Sequence, residues 1–239
     1  MNVGRYNLLA VNADAKTSKG TGMGYLTGIL YLTPADGSGW NVCQFATEGC
    51  KASCLNTAGR GVQNSVQRGR LRKTRLLFEQ RGEFERQLAA DIAKLARYAR
   101  RLGLTPLVRL NGTSDLPWHR MRFQGYASPM EAFPGIQFYD YTKDPLRMVE
   151  RLPGNYDLTF SRSESNDLAA DRIVASGLGR VAVVFADAIP NTFRGMPVVN
   201  GDTSDVRVQD ARGVWVGLKA KGRAKRDRSG FVIRNQEGN

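Results

Sequence analysis

Cysteine is missing from this 239-residue chain except in one twelve-residue window, where Cys43, Cys50 and Cys54 stand. Histidine occurs once, as His119. An odd, low cysteine count excludes a secreted disulfide framework and points to a reducing cytosol. No apolar run approaches the ~20 residues that a helical membrane span needs, so no membrane partner is expected. The opening residues, MNVGRYNLLAVNADAKTSKGTG, hold one short apolar patch and no small-residue cleavage site, so no secretory signal is expected. There is no G-x4-G-K-[ST] phosphate loop and no G-x-S-x-G elbow. With a single histidine, a Ser-His hydrolase finds little support. Acidic residues are also short: 22 Asp and Glu face 35 Lys and Arg, leaving a formal charge of +13. That excess predicts an anionic partner, nucleic acid first and a nucleotide-like molecule second.

What is present has the texture of one α/β domain over residues 1–239, with an irregular segment at 1–22 and a basic one at 220–239. Tyr25 to Leu32 is β-branched and aromatic and closes at Thr33-Pro34, which reads as a buried strand. Val62 to Gln80 is rich in helix formers. Phe84, Leu88, Ile92, Leu95, Ala99 and Leu102 then recur by fours and threes, which is one apolar helical face ended by Gly103. Short apolar strands follow, each running into a polar cluster: 106–110 into NGTSD, 136–139 into DYTK, 157–160 into SRSESN, 180–185 into Ala186-Asp187, and 213–218 into KAKG. Segments 145–152 and 168–176 suit short crossover helices. Strand, polar loop and helix in repetition imply a mostly parallel sheet curled into a partial or distorted (β/α) barrel. Ligand sites in such sheets gather at the carboxyl ends of the strands. That edge would collect the cysteines and the polar loops.

The thiols are spaced C-x6-C-x3-C. Structural zinc wants four ligands, and His119 is the candidate fourth of a Cys3His set. Three thiols without a fourth suit a four-iron cluster with one iron open to a non-protein ligand. Unligated thiols that merely pack are the third reading. Two carboxylates drawn from Asp115, Asp140 and Glu164 would instead bind Mg²⁺ in a nuclease-like site.

Cations cluster twice. Arg60, Arg68, Arg70, Arg72, Lys73 and Arg75 follow the cysteines, and Lys219, Lys221, Arg223, Lys225, Arg226 and Arg228 follow the last predicted strand. Both groups flank the same predicted edge, as a phosphate-bearing partner requires. Arg70, Arg72, Lys73, Lys221, Arg223, Lys225 and Arg226 are the candidate phosphate contacts. The small residues of Lys219-Ala220-Lys221-Gly222-Arg223-Ala224-Lys225 would let the backbone come close to phosphates.

Two resemblances add expectations. AKTSKGTGMGYLTGILYLTPAD, NVCQFATEGCKASCLNTAGRG, RLNGTSD, FYDYTK, LTFSRSESN and GLKAKGRAKRDRSGF resemble the "gene product 88" domain family of tailed bacteriophages, over about Ala15 to Phe231. That implies one domain of phage origin, working in the host cytoplasm, and names no activity. The cysteines behind the first strand also loosely resemble radical SAM enzymes, although the usual spacing there is C-x3-C-x2-C. This second resemblance implies S-adenosylmethionine as cofactor. Asn111, Gly112 and Asp115 would then meet its methionine end, and Ser161, Arg162, Glu164 and Lys219 its remaining polar groups. Taken together, the expected protein is a radical-SAM-like iron–sulfur enzyme acting on a nucleic-acid-derived substrate. The alternative is a non-catalytic nucleic-acid binder with structural zinc or a cluster.

Overall fold

A computed structural model describes residues 7–11 and 19–234. One sheet of ten strands organises them, in the order β1-β2-β3-β4-β5-β6-β9-β8-β7, with β10 paired to β6. The strands are β1 (Leu9–Val11), β2 (Tyr25–Leu30), β3 (Thr105–Arg109), β4 (Gln137–Thr142) and β5 (Tyr156–Ser161). They continue with β6 (Val181–Phe185), β7 (Thr192–Phe193), β8 (Met196–Asn200), β9 (Trp215–Lys219) and β10 (Val232–Ile233). From β2 through β6 to β9 and β8 every pairing is parallel, while β1 and β7 join antiparallel at the two ends. The sheet does not close: the mostly parallel α/β architecture stands, and the expected curl into a partial or distorted barrel is not borne out.

The helices follow from the apolar spacing. They are α1 (Glu48–Ala52), α2 (Asn64–Glu79), α3 (Arg81–Arg101), α4 (Pro129–Ala132) and α5 (Asp167–Ala175). In α3 the residues Phe84, Leu88, Ile92, Leu95 and Ala99 are buried, against Leu26, Leu30, Val108 and Phe138 of the sheet. Gly103 takes φ +67° after the Leu102 cap, the left-handed conformation that ends helices and that glycine adopts without strain. On the same side of the sheet, α5 packs Ala170, Ile173 and Val174 on Phe160, Val181, Val183 and Trp215. Of the two expected crossover helices, 168–176 forms α5, whereas 145–152 yields only a 3-10 turn, Pro145–Met148.

The opposite face has a different cover. There Leu107 and Tyr139 pack on Val206, from the connection between β8 and β9. Arg109 binds Asp205 with 3.1 and 3.3 Å contacts, and the Tyr139 hydroxyl donates to the same carboxylate at 3.0 Å. Period-two alternation divides β5 most clearly, with Tyr156, Leu158 and Phe160 on the helix-covered face and Asp157, Thr159 and Ser161 on the other. Strands β1, β7, β8 and β10 escape the sequence reading because each is short or, like β8 with Pro197, alternates only between half-buried and exposed residues. Residues 9–11 form β1 inside the segment expected to be irregular. Residues 1–6, 12–18 and 235–239 of the two expected terminal segments lie outside the described residues.

The fully buried Ile92 tests the assignment of this core. Ile92→Ala should lower the unfolding free energy by ~2–5 kcal/mol, measured by urea denaturation.

Candidate functional site

The cysteine segment leaves β2, crosses the carboxyl edge and breaks into short pieces. Cys43 lies in the loop: its Sγ accepts from the Ala35 amide at 3.4 Å and donates to the Thr113 carbonyl at 3.7 Å. Thr47 caps α1 by accepting from the Cys50 amide at 3.2 Å. Cys54 caps the next 3-10 turn, Leu55–Thr57, with Sγ accepting from the Asn56 amide at 3.5 Å. All three cysteines are free thiols and half-buried.

Two other parts of the chain hold this segment in place. The Gly49 amide donates to Glu164 Oε1 at 2.9 Å. A Cβ on residue 49 would lie 2.6 Å from that oxygen and closer still to Ser229 Oγ, so any larger residue would push these two side chains aside. Ser53 bonds to the Asp227 side chain. Gly222, at φ +56°, comes so near Thr57 and Ala58 that a Cβ would stand 2.7 Å from the Thr57 carbonyl oxygen. Ala220, Ala224, Phe231 and Val232 form a small buried cluster against Cys50. The small residues of the basic segment therefore serve an internal contact and leave its cations outside. Lys219, Lys221, Arg223, Lys225 and Arg226 are exposed, and Lys221 pairs with Asp202 at 3.1 Å.

Burial pushes the Cys43 thiol up to about 11; the Ala35 amide offsets part of this, and nearby Cys54, Asp115 and Cys50 add to it. Cys54 is also raised by burial, opposed first by the Asn56 amide and also by the charges of Arg70 and Lys143. The three thiols thus lie within electrostatic reach of one another, with two cations facing Cys54. Arg70 is buried, donates to Asn56 Oδ1 and stacks over the Tyr31 ring at 5.1 Å. Lys143 donates to Ser161 Oγ at 2.9 Å and stands 5.6 Å from the Phe231 ring centre.

Several residues assigned to ligand binding by their place at strand ends are engaged internally. Asn111 Oδ1 accepts from Ser114, the Leu116 amide and the Trp118 indole, its Nδ2 donates to Leu116, and its amide donates to Asp140. Gly112 approaches β2 itself: a Cβ there would meet Ile29, the Leu30 carbonyl and Tyr31 at 2.7 Å. Asp115 accepts from Arg147 and from the Lys143 amide. Arg162 grips Asp167 with two nitrogens and donates to the Gly230 and Phe231 carbonyls, tying β5 to the C-terminal segment. Lys73 donates to the Leu8 carbonyl and Arg72 is exposed on α2.

His119 does not join the thiols. Its Nε2 meets Glu150 at 2.9 Å and its ring lies against Tyr156. Among the described residues no three His, Cys, Asp or Glu side chains are gathered as a metal-ligand set, whether from the thiols or from Asp115, Asp140 and Glu164. Lys143 is the functional candidate that strand-end reading overlooked. Its signal was its position, the cation that ends the DYTK cluster at this edge.

Two measurements test this geometry. Gly49→Ala should destabilise the fold by ~1–3 kcal/mol through overpacking, read as a lower denaturation midpoint. Burial raises the Asp140 carboxyl from its ordinary 3.8 to about 7. The folded state thus keeps a proton that the unfolded chain has lost. This group's contribution is present below its ordinary value and disappears as pH rises through about 7. Asp140→Asn should flatten the loss of stability over that interval in denaturation measured against pH.

A family model described as Gene product 88 matches residues 3–235 of the chain. No curated protein and no solved structure matches it.

Proposed function

The chain belongs to the gene product 88 family, and on that premise we propose that it is a phage iron–sulfur protein whose working site is the carboxyl edge of its sheet. In this reading Cys43, Cys50 and Cys54 hold a cluster with one position open, and the substrate is anionic and nucleic-acid-derived. The observation that supports it is the placement of three free, half-buried thiols in one short segment at the edge where parallel α/β sheets take their ligands. Thiolates are the ligating form, so loading releases protons. It also turns the three side chains together, since they are not already gathered. The short pieces carrying Cys50 and Cys54 allow that without moving a strand.

Zinc closed by His119 has less support, because that imidazole is not gathered with the thiols. S-adenosylmethionine has less support as well: Asn111, Gly112, Asp115 and Arg162 are bound internally, and Ser161 and Glu164 already accept from Lys143 and Gly49. The exposed cations of residues 219–226 favour one second reading, a nucleic-acid binder without catalysis.

Anaerobic purification should give a brown protein with about four irons per chain, and Cys43→Ser, Cys50→Ser and Cys54→Ser should each remove most of the iron. A colourless, zinc-loaded protein would overturn the cluster. For the nucleic-acid reading, single-stranded oligonucleotide affinity should fall steeply with salt, and neutralising Lys221, Arg223 and Lys225 should flatten the log–log slope by about 2.

A further inference from the structure

At the carboxyl edge β5 and β6 separate. They pair at Phe160↔Val181 and Ser161↔Ala182, and further along β6 the partner becomes β10, through Val232↔Val184 and Ile233↔Phe185. Strand β9 lines the other side of β6 from Val181 to Phe185, so β10 stands in the gap that β5 leaves. The chain thus fills with its own C-terminal residues the kind of opening where parallel sheets take ligands. What these residues cover is the thiol helix. Phe231 and Val232 are buried with Ala220 and Ala224 against Cys50. Ser229 Oγ stands beside Gly49, and Asp227 holds Ser53.

Residues 227–234 also satisfy one another. Asp227 accepts from Ser229 Oγ at 2.7 Å and from the Val232 amide at 3.0 Å. The Phe231 amide donates to Ser229 Oγ at 3.2 Å, and Arg234 donates to the Asp227 carbonyl at 2.9 Å. They are tied to the sheet by the two-residue pairing with β6, by the Ala186 amide, which donates to the Ile233 carbonyl at 2.9 Å, and by Arg162, which donates to the Gly230 and Phe231 carbonyls. If the segment lifts, Asp227 keeps its internal donors and Arg162 keeps both bonds to Asp167. No charge is then left without a partner, which is the usual large cost of opening a buried contact. Cys43 lies apart from this cover, between the Ala35 amide and the Thr113 carbonyl.

We propose that residues 227–233 are a latch over the thiol helix: closed, it holds Cys50 against the C-terminal cluster, and lifted as one piece, it opens Cys50 to a thiol-seeking metal ion and frees α1 to turn. Local opening of short, peripheral units is the low-energy motion of a folded chain, and α1 is too short to hold its place alone. The latch deepens the reading of the thiols as a metal site and rests on it for the identity of what enters.

The full chain, reduced and stripped of metal, is alkylated with iodoacetamide, and each cysteine is followed by peptide mass spectrometry. Asp227→Ala removes the bonds that keep the latch in one piece, so Cys50 should react about tenfold faster than in the native chain while Cys43 keeps its rate. Val232→Ala, which trims the contact on Cys50 and leaves Asp227 in place, should speed Cys50 several-fold. In both variants hydrogen exchange at the Ala186 amide should quicken with Cys50. The Arg162 amide, bonded to the Ala182 carbonyl at 2.9 Å where β5 and β6 still pair, should keep its protection. The latch is refuted if Cys50 is unmoved in both variants, or if Cys43 and the Arg162 amide speed up with it, which marks a general loosening of the fold. No iron enters these measurements, so a chain unable to hold a cluster leaves the latch standing. A brown, cluster-loaded chain whose Cys50 ignores both substitutions removes the latch alone.

Discussion

The carboxyl edge depends on how closely the thiol helix can approach Glu164. The Gly49 amide reaches that carboxylate at 2.9 Å in a gap that a Cβ on residue 49 would fill, and Ser229 closes the other side. A five-residue helix is too short to be stable by itself, so α1 owes its place to these contacts and to the Thr47 cap. Once it is docked, Cys50 packs on the Ala220–Val232 cluster, and Cys54 begins the turn that Arg70 and Gln67 hold through Asn56. Loss of that approach would loosen Cys50 and, through the turn that follows, Cys54.

A second constraint runs through the loop after β3. Asn111 satisfies the Leu116 backbone, the Trp118 indole and Ser114 in one buried network, and its amide binds Asp140. Such networks are costly when incomplete. This one converts NGTSD from an apparent ligand loop into the wedge on which Cys43 rests through the Thr113 carbonyl. Asp115 and Arg147 extend it to the loop after β4, so Lys143 reaches Ser161 from a fixed base. The electrostatic character of the edge follows from this internal neutralisation. Asp115 is spent on Arg147, and Glu164 accepts the Gly49 amide.

Much of this was legible from residue order. The 3-4 spacing from Phe84 to Ala99 specified α3, because one apolar stripe on a 3.6-residue period has a single way to be buried. The strands from Tyr25, Pro106, Asp157 and Val181 declared themselves by composition, and their polar ends correctly collected the cysteines, SRSESN and the basic segment at one edge. Asn111, Gly112, Asp115 and Arg162 were placed at that edge but not given their roles. A polar residue in a strand-end loop looks the same in sequence whether it meets a ligand or a buried amide of its own chain. Short strands such as β7 and β10 carry too few residues for any period to emerge.

By itself, then, the sequence determined the parallel α/β order, the confinement of the three thiols to one segment, the excess of positive charge and the edge to which these belong. Local periodicity and chain order suffice for those. Only the tertiary structure decided that the sheet stays open, that His119 turns to Glu150, and that the Gly49 amide meets Glu164. Each of these depends on contacts between residues far apart in the chain, where steric fit and the pairing of buried charges select among arrangements that the sequence pattern permits equally.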